Sequence, residues 1–306
     1  MENIARLLLP QPCPFKLVRI GGDRDGAYLV PDDLTGIDAC FSPGVNNLKS
    51  FEDELTNQYN IKCHMCDFSS DLDQFRTPIV HGMQTFKKKW LDTDGSLDSI
   101  SLRDWINEFS PDASKDLILQ IDIEGAEYRN LLGADDRTLK RFRVIVIELH
   151  GLGVLCNPEL ISKEVGPLLL KLHETHACVH AHPNNCCGDF IDPENGLNIA
   201  NVLEITYLRR DRFQGNRHQY IQPQLPHPLD IRFNVSTNPP IHLNENWLGQ
   251  KNRSLKSKLK VMTDHIAFAN RQALSYFLRI LQCYRAFHYF LRISKRLKRL
   301  ARNIFK

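Results

Sequence analysis

The sequence has no run of about 18 uncharged apolar residues, and no apolar stretch behind a positive cluster opens it. Neither a membrane-spanning helix nor a secretion signal is expected. No G-x-G-x-x-G follows the first expected strand of the main sheet, so a dinucleotide site would lack its pyrophosphate cradle. The nine cysteines are odd in number and irregular in spacing, which suits buried thiols of a reducing compartment rather than a disulfide framework. The chain therefore reads as cytoplasmic. Cys63 and Cys66 lie three apart in an expected strand, which sends their side chains to opposite faces and disfavours a shared ion. Cys186 beside Cys187 is a second pair without a closed Cys/His set, and no structural metal is expected. No repeat period or low-complexity tract stands out.

What is present is ordinary globular composition, 42% hydrophobic and 25% charged over 306 residues, enough for one sizeable core with an appendage. The net charge of +3 is unevenly spread. Residues 251–306 hold fifteen Lys or Arg and the single acid Asp264, which leaves the first 250 residues at −11. Three parts follow: a domain over 1–221, an irregular connector over 222–250 with five prolines from Pro223 to Pro240, and a basic amphipathic helical tail over 251–306.

Within the first part, short apolar runs alternate with helical patterns, the mark of βαβ units and a doubly wound, mostly parallel Rossmann-like sheet. Strands are expected at Asp38 to Ser42, Lys62 to Phe68, around Pro78 to Thr85, Leu117 to Ile123 and Val144 to Leu149. Helices are expected from a Ser50 cap to Gln58, over Leu102 to Phe109, from Glu127 to Leu132 and near Pro158 to His173. Ala177 to His182 and Ile199 to Leu208 suit a terminal antiparallel hairpin.

In such sheets the ligand sits beyond the carboxyl ends of the strands, where Gly44 to Asn47, Asp67, Asp122, Glu124, Glu148 and His150 are expected to meet. Gly44 permits close backbone approach, and Val45 and Asn46 continue its loop. Asp67, with Phe68 after it, is placed to accept hydrogen bonds from ribose hydroxyls of an adenosine group. A solvated strand end is the plain alternative for Asp67, but its 23-residue separation from Gly44 fits strand, helix and strand. With no phosphate cradle, a phosphate-free cofactor fits better.

The string Gln120 to Glu127 with its following leucines (QIDIEGAEYRNLL) resembles the signature of FkbM-type methyltransferases, which transfer methyl groups from S-adenosylmethionine, often to sugar hydroxyls. Ser42 to Glu52 (SPGVNNLKSFE), Ser101 to Trp105 (SLRDW), Glu148 to His150 (ELH), Arg19 to Val30 (RIGGDRDGAYLV) and Val202 to Arg209 (VLEITYLR) add to the likeness, which covers roughly residues 15–212. The resemblance implies a class I methyltransferase sheet, S-adenosyl-L-methionine as cofactor, with Gly44, Val45, Asn46, Asp67, Phe68 and Asp122 around it, and a carbohydrate or glycoconjugate hydroxyl as acceptor. The chain departs from many relatives in having one glycine in the first loop and aspartate at 67 where glutamate is common.

Methyl transfer to a hydroxyl needs the acceptor oxygen held in line and its proton removed. His150, Asp122, Glu124 and His182 are the candidates for the proton, and His150 is favoured because imidazole titrates near working pH. A structural, hydrogen-bonded role for His150 and a helix-capping role for Glu124 are the competing readings. By alternation, Asp122 and Glu124 are expected on one strand face. His182, Asn184 and Asn185 are expected to bind the acceptor; His180 and His182 share a strand side, but hard ions prefer oxygen ligands, and no metal is expected there.

In the tail, 273–291 reads as a helix too polar to span, and 292–306 places Ile293, Leu297, Leu300, Ala301 and Ile304 on one arc with seven basic residues opposite. An anionic membrane surface, the catalytic domain or a second subunit are the partners considered for it. Nucleic acid is disfavoured, because no stacking-aromatic motif accompanies the charge and the domain is acidic. An RNA methyltransferase and a non-catalytic scaffold are the alternative functions.

Overall fold

A short antiparallel hairpin, β1 (Leu17–Ile20) with β2 (Tyr28–Pro31), precedes the alternating part of the chain in the computed structural model. The structure describes residues 4–153, 161–192, 196–231 and 234–248. The chain divides into Met1–Asn252 and Arg253–Lys306, and the second unit, with the basic tail, lies outside the described residues.

The strands β3 (Ile37–Pro43), β4 (Lys62–Cys66), β5 (Gln84–Lys87), β8 (Asp116–Ile121), β9 (Phe142–Leu149), β10 (His176–Ile191) and β11 (Asn198–Arg209) form one seven-stranded sheet in the order β10-β11-β9-β8-β3-β4-β5. Two further short strands, β6 (Trp90–Leu91) and β7 (Ser99–Ile100), pair with each other. The first five strands of the sheet pair in parallel, and β11 lies antiparallel between β9 and β10. This is the Rossmann-like sheet with a closing antiparallel hairpin. The α-helices among the described residues are α1 (Ser50–Tyr59), α2 (Leu102–Phe109), α3 (Glu127–Gly133), α4 (Asp136–Arg141) and α5 (Gly166–Thr175).

All eight residues of β9 are buried, as its unbroken apolar run requires for a strand covered on both faces. One face of the sheet carries Phe41, Leu119, Ile147, Ile205 and Trp105 of α2 in its core. The other carries Cys40, Ile118, Val144 and Val146 against Phe51 and Leu55 of α1 and Tyr28 of the hairpin. Cys63 and Cys66 do fall into different cores, one on each face.

Several expectations need correction. The third strand of the sheet is at Gln84–Lys87, not around Pro78 to Thr85, because residues 80–83 turn with Met83 N–H bonded to Val80 O and Gly82 at φ +77°. Lys49, not Ser50, is the N-cap of α1, and it makes no side-chain cap bond. The strand after α5 runs on to Ile191 rather than stopping at His182. The helix expected near Pro158 to His173 is α5, preceded by a π turn at Ile161–Val165; residues 154–160 lie outside the described residues. The described parts of 222–248 are irregular up to a 3-10 turn at Glu245–Leu248, and they pack on the domain through the fully buried Trp247 of that turn, whose indole N–H bonds to Asn198 O. No helix among the described residues is long and apolar enough to cross a membrane.

Candidate active site

At the carboxyl edge of the sheet, the loops after β3 and β8 touch. Gly44 has φ +89°, and a Cβ built on it would lie 1.6 Å from the carbonyl oxygen of Asp122. The glycine is thus required by loop against loop, before any ligand is considered. Asn46 and Asn47, at φ 42° and 58°, continue the left-handed turn, and Val45 is buried beneath it. Asp67, just past β4, ties this loop down: its carboxylate accepts from Asn46 N (3.0 Å), Ser69 N (2.8 Å), Ser69 Oγ (2.6 Å) and Ser70 Oγ (2.9 Å). Burial raises its pKa, but these four bonds outweigh it and hold the group below the ordinary carboxylate range. Phe68 next to it stacks on the half-exposed Trp90 with ring centroids 5.1 Å apart.

Asp122 and Glu124 do not share a strand face, because β8 ends at Ile121 and the chain turns through Glu124 at φ 55° and Gly125 at φ 98°. The turn leaves Glu124 with its side chain 90% exposed, and Ala126, not Glu124, is the N-cap of α3. Asp122 is pushed up to about 7 by burial, against the lowering charge of His150. Burial and the charge of Asp122 together raise Glu148 well above its ordinary value. Each carboxylate disfavours ionisation of the other.

His150 follows β9 and is gripped from one side. Its Nδ1 lies 3.2 Å from Glu127 Oε1 and 3.1 Å from Glu148 O, and its Nε2 faces Asp122 Oδ1 at 3.8 Å and Glu124 Oε2 at 3.6 Å. Burial works against the imidazolium, yet the Glu127 hydrogen bond and the charges of Glu127, Asp122 and Glu124 carry its pKa up to about 9. Glu127 is the residue that sequence reasoning missed. Its side chain is fully buried at the start of α3, Oε1 also accepts from Ile123 N (2.8 Å), and Oε2 has no hydrogen-bond partner. The signal was present in the EGAE string, but an acid in the first turn of a helix ordinarily reads as a solvated one. Donor atoms of Asp122, Glu127 and His150 lie within 4.8 Å of one another, so these three are the group among the described residues able to gather a cation.

The residues expected on the acceptor side separate into different tasks. Asn184 donates from Nδ2 to Glu148 Oε1 at 2.7 Å, the end of a buried chain in which Gln120 Nε2 donates to the Tyr28 hydroxyl and that hydroxyl donates to Glu148 Oε2. Asn185 spends its amide on the 222–248 segment, donating to Val235 O, Asn238 O and Pro239 O and accepting from Val235 N. His182 is buried on β10 with neither ring nitrogen hydrogen-bonded.

Residues 55–156 match the family model described as "Methyltransferase FkbM domain". Over these residues the chain is similar to the FkbM methyltransferase domain. The match runs from within α1 to just past β9, so it spans Asp67, Asp122, Glu127 and His150 and stops short of the closing hairpin. The match supports a methyltransferase, and in such sheets ligands sit beyond the carboxyl ends of the strands, the edge at which these acids lie. A search of curated proteins gives no significant match. Among solved structures, a tryptophan-to-alanine variant of the 16S rRNA (adenine(1408)-N(1))-methyltransferase from Catenulisporales acidiphilia aligns over 64% of this chain and 97% of its own, at 9% identity and a TM-score of 0.29. A likeness at that score carries no argument about this chain's substrate.

Proposed function

We propose that this FkbM methyltransferase transfers the methyl group of S-adenosylmethionine to a hydroxyl of a carbohydrate or glycoconjugate, with His150 as the proton acceptor, at the surface of an anionic membrane. The observation that carries the reading is the clamp on His150: a buried glutamate holds Nδ1, which leaves Nε2 directed at the acids of the crevice. An imidazole fixed in this way is oriented as a general base, a role worth about 10²- to 10⁴-fold.

The donor set fits a cationic, phosphate-free cofactor. Asp122, partly exposed, and the buried Glu148 put acid chemistry at the strand ends, and the first loop has no phosphate-binding glycine run. Asp67, Asn46 and Asp122 would hold the cofactor, with Gly44 and Val45 shaping the loop and Phe68 beside it. Because all four acceptor positions of Asp67 are filled by Asn46, Ser69 and Ser70, a ribose diol would have to take over the bonds of the two serine hydroxyls. Bound there, the sulfonium supplies an electrophilic methyl group. The chain's own part is to align the acceptor oxygen, worth about 7 to 11 kcal/mol in well-oriented systems, and to receive its proton at His150 Nε2. Positive charge arriving in the crevice lowers the pKa of His150 and so readies it to accept.

Release of S-adenosylhomocysteine in the presence of candidate glycans tests the reaction. Wild type should release it and His150→Ala should do so at least about a hundredfold more slowly; equal rates would remove His150 as base. The membrane part of the proposal is supported by the apolar arc and basic face of 292–306, with each basic residue near an anionic surface contributing on the order of 1 kcal/mol. Liposome flotation of the full chain against a form ending at Asn252, which keeps Trp247, should show binding only for the former.

A further inference from the structure

β10 is the last strand of the sheet, and between its residues 181–183 and residues 225–231 and 241–243 lies a cavity of about 200 Å³. Its body is aliphatic, with Leu225, Pro226, Ile241 and Leu243 facing Ala181 and Pro183, and no aromatic carbon ring lines it. A cavity of about 150 Å³ with such walls holds a benzene-sized molecule, so this one takes a six-membered ring with a short substituent.

The polar residues lining it are His182, His227, Asp230 and His242, and they are unevenly satisfied. Asp230 accepts from His180 Nε2 at 2.9 Å and from His227 N at 2.7 Å. The His227 ring accepts in turn from Leu229 N at 3.2 Å. His182 is different. Its side chain is 8% exposed, its Nδ1 is 3.7 Å from Asp230 Oδ2, too long for a hydrogen bond, and its Nε2 has no partner. Buried polar atoms in native folds are nearly always bonded, so an unbonded imidazole lying just behind a cavity wall is a place for a ligand atom.

We propose that this cavity binds a neutral alcohol with an aliphatic body, its hydroxyl received by His182 and Asp230. A hydroxyl can accept from the imidazole and donate to the carboxylate, which an anion or a cation cannot do without opposing one of them. A bare sugar ring would bring four or five hydroxyls against aliphatic walls that cannot bond them. His182 pairs with Glu204 on β11, which pairs with Glu148 on β9, so the cavity sits level with the end of β9 and about 10 Å from it, two strand spacings away. Resting on the acceptor reading given above, the cavity holds the non-sugar part of the acceptor while a sugar hydroxyl reaches His150.

The test uses the full chain and cyclohexylmethanol as probe, with glucose and cyclohexanecarboxylate as comparators, observed through the histidine ring signals in NMR titrations. Saturable binding of cyclohexylmethanol that shifts the His182 signals, with glucose and the carboxylate at least about tenfold weaker, is expected. His182→Ala removes the polar partner, and Ile241→Trp fills the cavity from the segment while every histidine is kept. Either folded variant should lose about tenfold or more in probe affinity. Failure of the probe to saturate, or affinity unchanged in both variants, overturns the proposal. Probe binding without any transfer to glycans would support the cavity and count against the acceptor reading. Transfer to glycans without probe binding would overturn the cavity and leave that reading standing.

Discussion

Replacing Glu127 by glutamine removes one negative charge from a fully buried site while keeping the shape and an oxygen for Ile123 N–H. His150, whose pKa stands at about 9, is held up first by its hydrogen bond to Glu127 and next by the charge of the same residue, with Asp122 and Glu124 behind. Without that charge the imidazole should titrate close to its ordinary 6.5. Because the folded value lies above the unfolded one, the imidazolium stabilises the fold fully below about pH 6.5, and this stabilisation is lost as pH rises through about 9. Raising a histidine from 6.5 to about 9 corresponds to roughly 3 kcal/mol as an upper figure, little screened because His150 is only 16% exposed. Wild type should therefore lose unfolding free energy between pH 7 and 10 by up to that amount, and Glu127→Gln should lose much less. Urea unfolding at pH 6, 8 and 10, with the His150 ring signals followed by NMR, reads both quantities. The reasoning fails should His150 of the wild type titrate near 6.5, or should the two proteins share one titration midpoint.

Further outcomes follow from the loops. Gly44→Ala places a methyl group on the Asp122 carbonyl and a side chain at φ +89°, and should destabilise by about 2 kcal/mol or more in calorimetric unfolding; a native midpoint would mean that the two loops are not packed together. Asp67→Ala removes four hydrogen bonds, so it should weaken S-adenosylmethionine binding and also cost on the order of 1 to 3 kcal/mol of stability. Since the folded pKa of Asp67 is depressed, its contribution is present above about pH 4 and fades as pH falls through the folded value, a loss that the variant should not show. His150→Ala should slow turnover while leaving cofactor affinity within about twofold, measured by calorimetric titration.

The sheet was legible because its strands are continuous apolar runs. VIVIEL and LILQI become the buried β9 and β8, and the paired runs after α5 become the closing hairpin. Gly44, Asp122 and His150 were found as strand ends, and the structure does bring them to one edge. Finer placement was hidden where the backbone leaves regular geometry. Alternation put Asp122 and Glu124 on one face, whereas the left-handed turn at Glu124 sends it to solvent and lets Glu127, one helical turn later, take the buried position. The fates of Asn184, Asn185 and His182 depend on contacts with Glu148 and with residues 230–239, far along the chain, which no local pattern encodes.

Calorimetric titration of S-adenosylhomocysteine into wild type, Asp122→Asn and His182→Gln bears most directly on the claim that the acid-lined strand ends form the cofactor crevice. Saturable binding to wild type and to His182→Gln, with affinity lowered about tenfold or more in folded Asp122→Asn, is the result expected. Binding of equal strength to all three, or none to wild type, would contradict it.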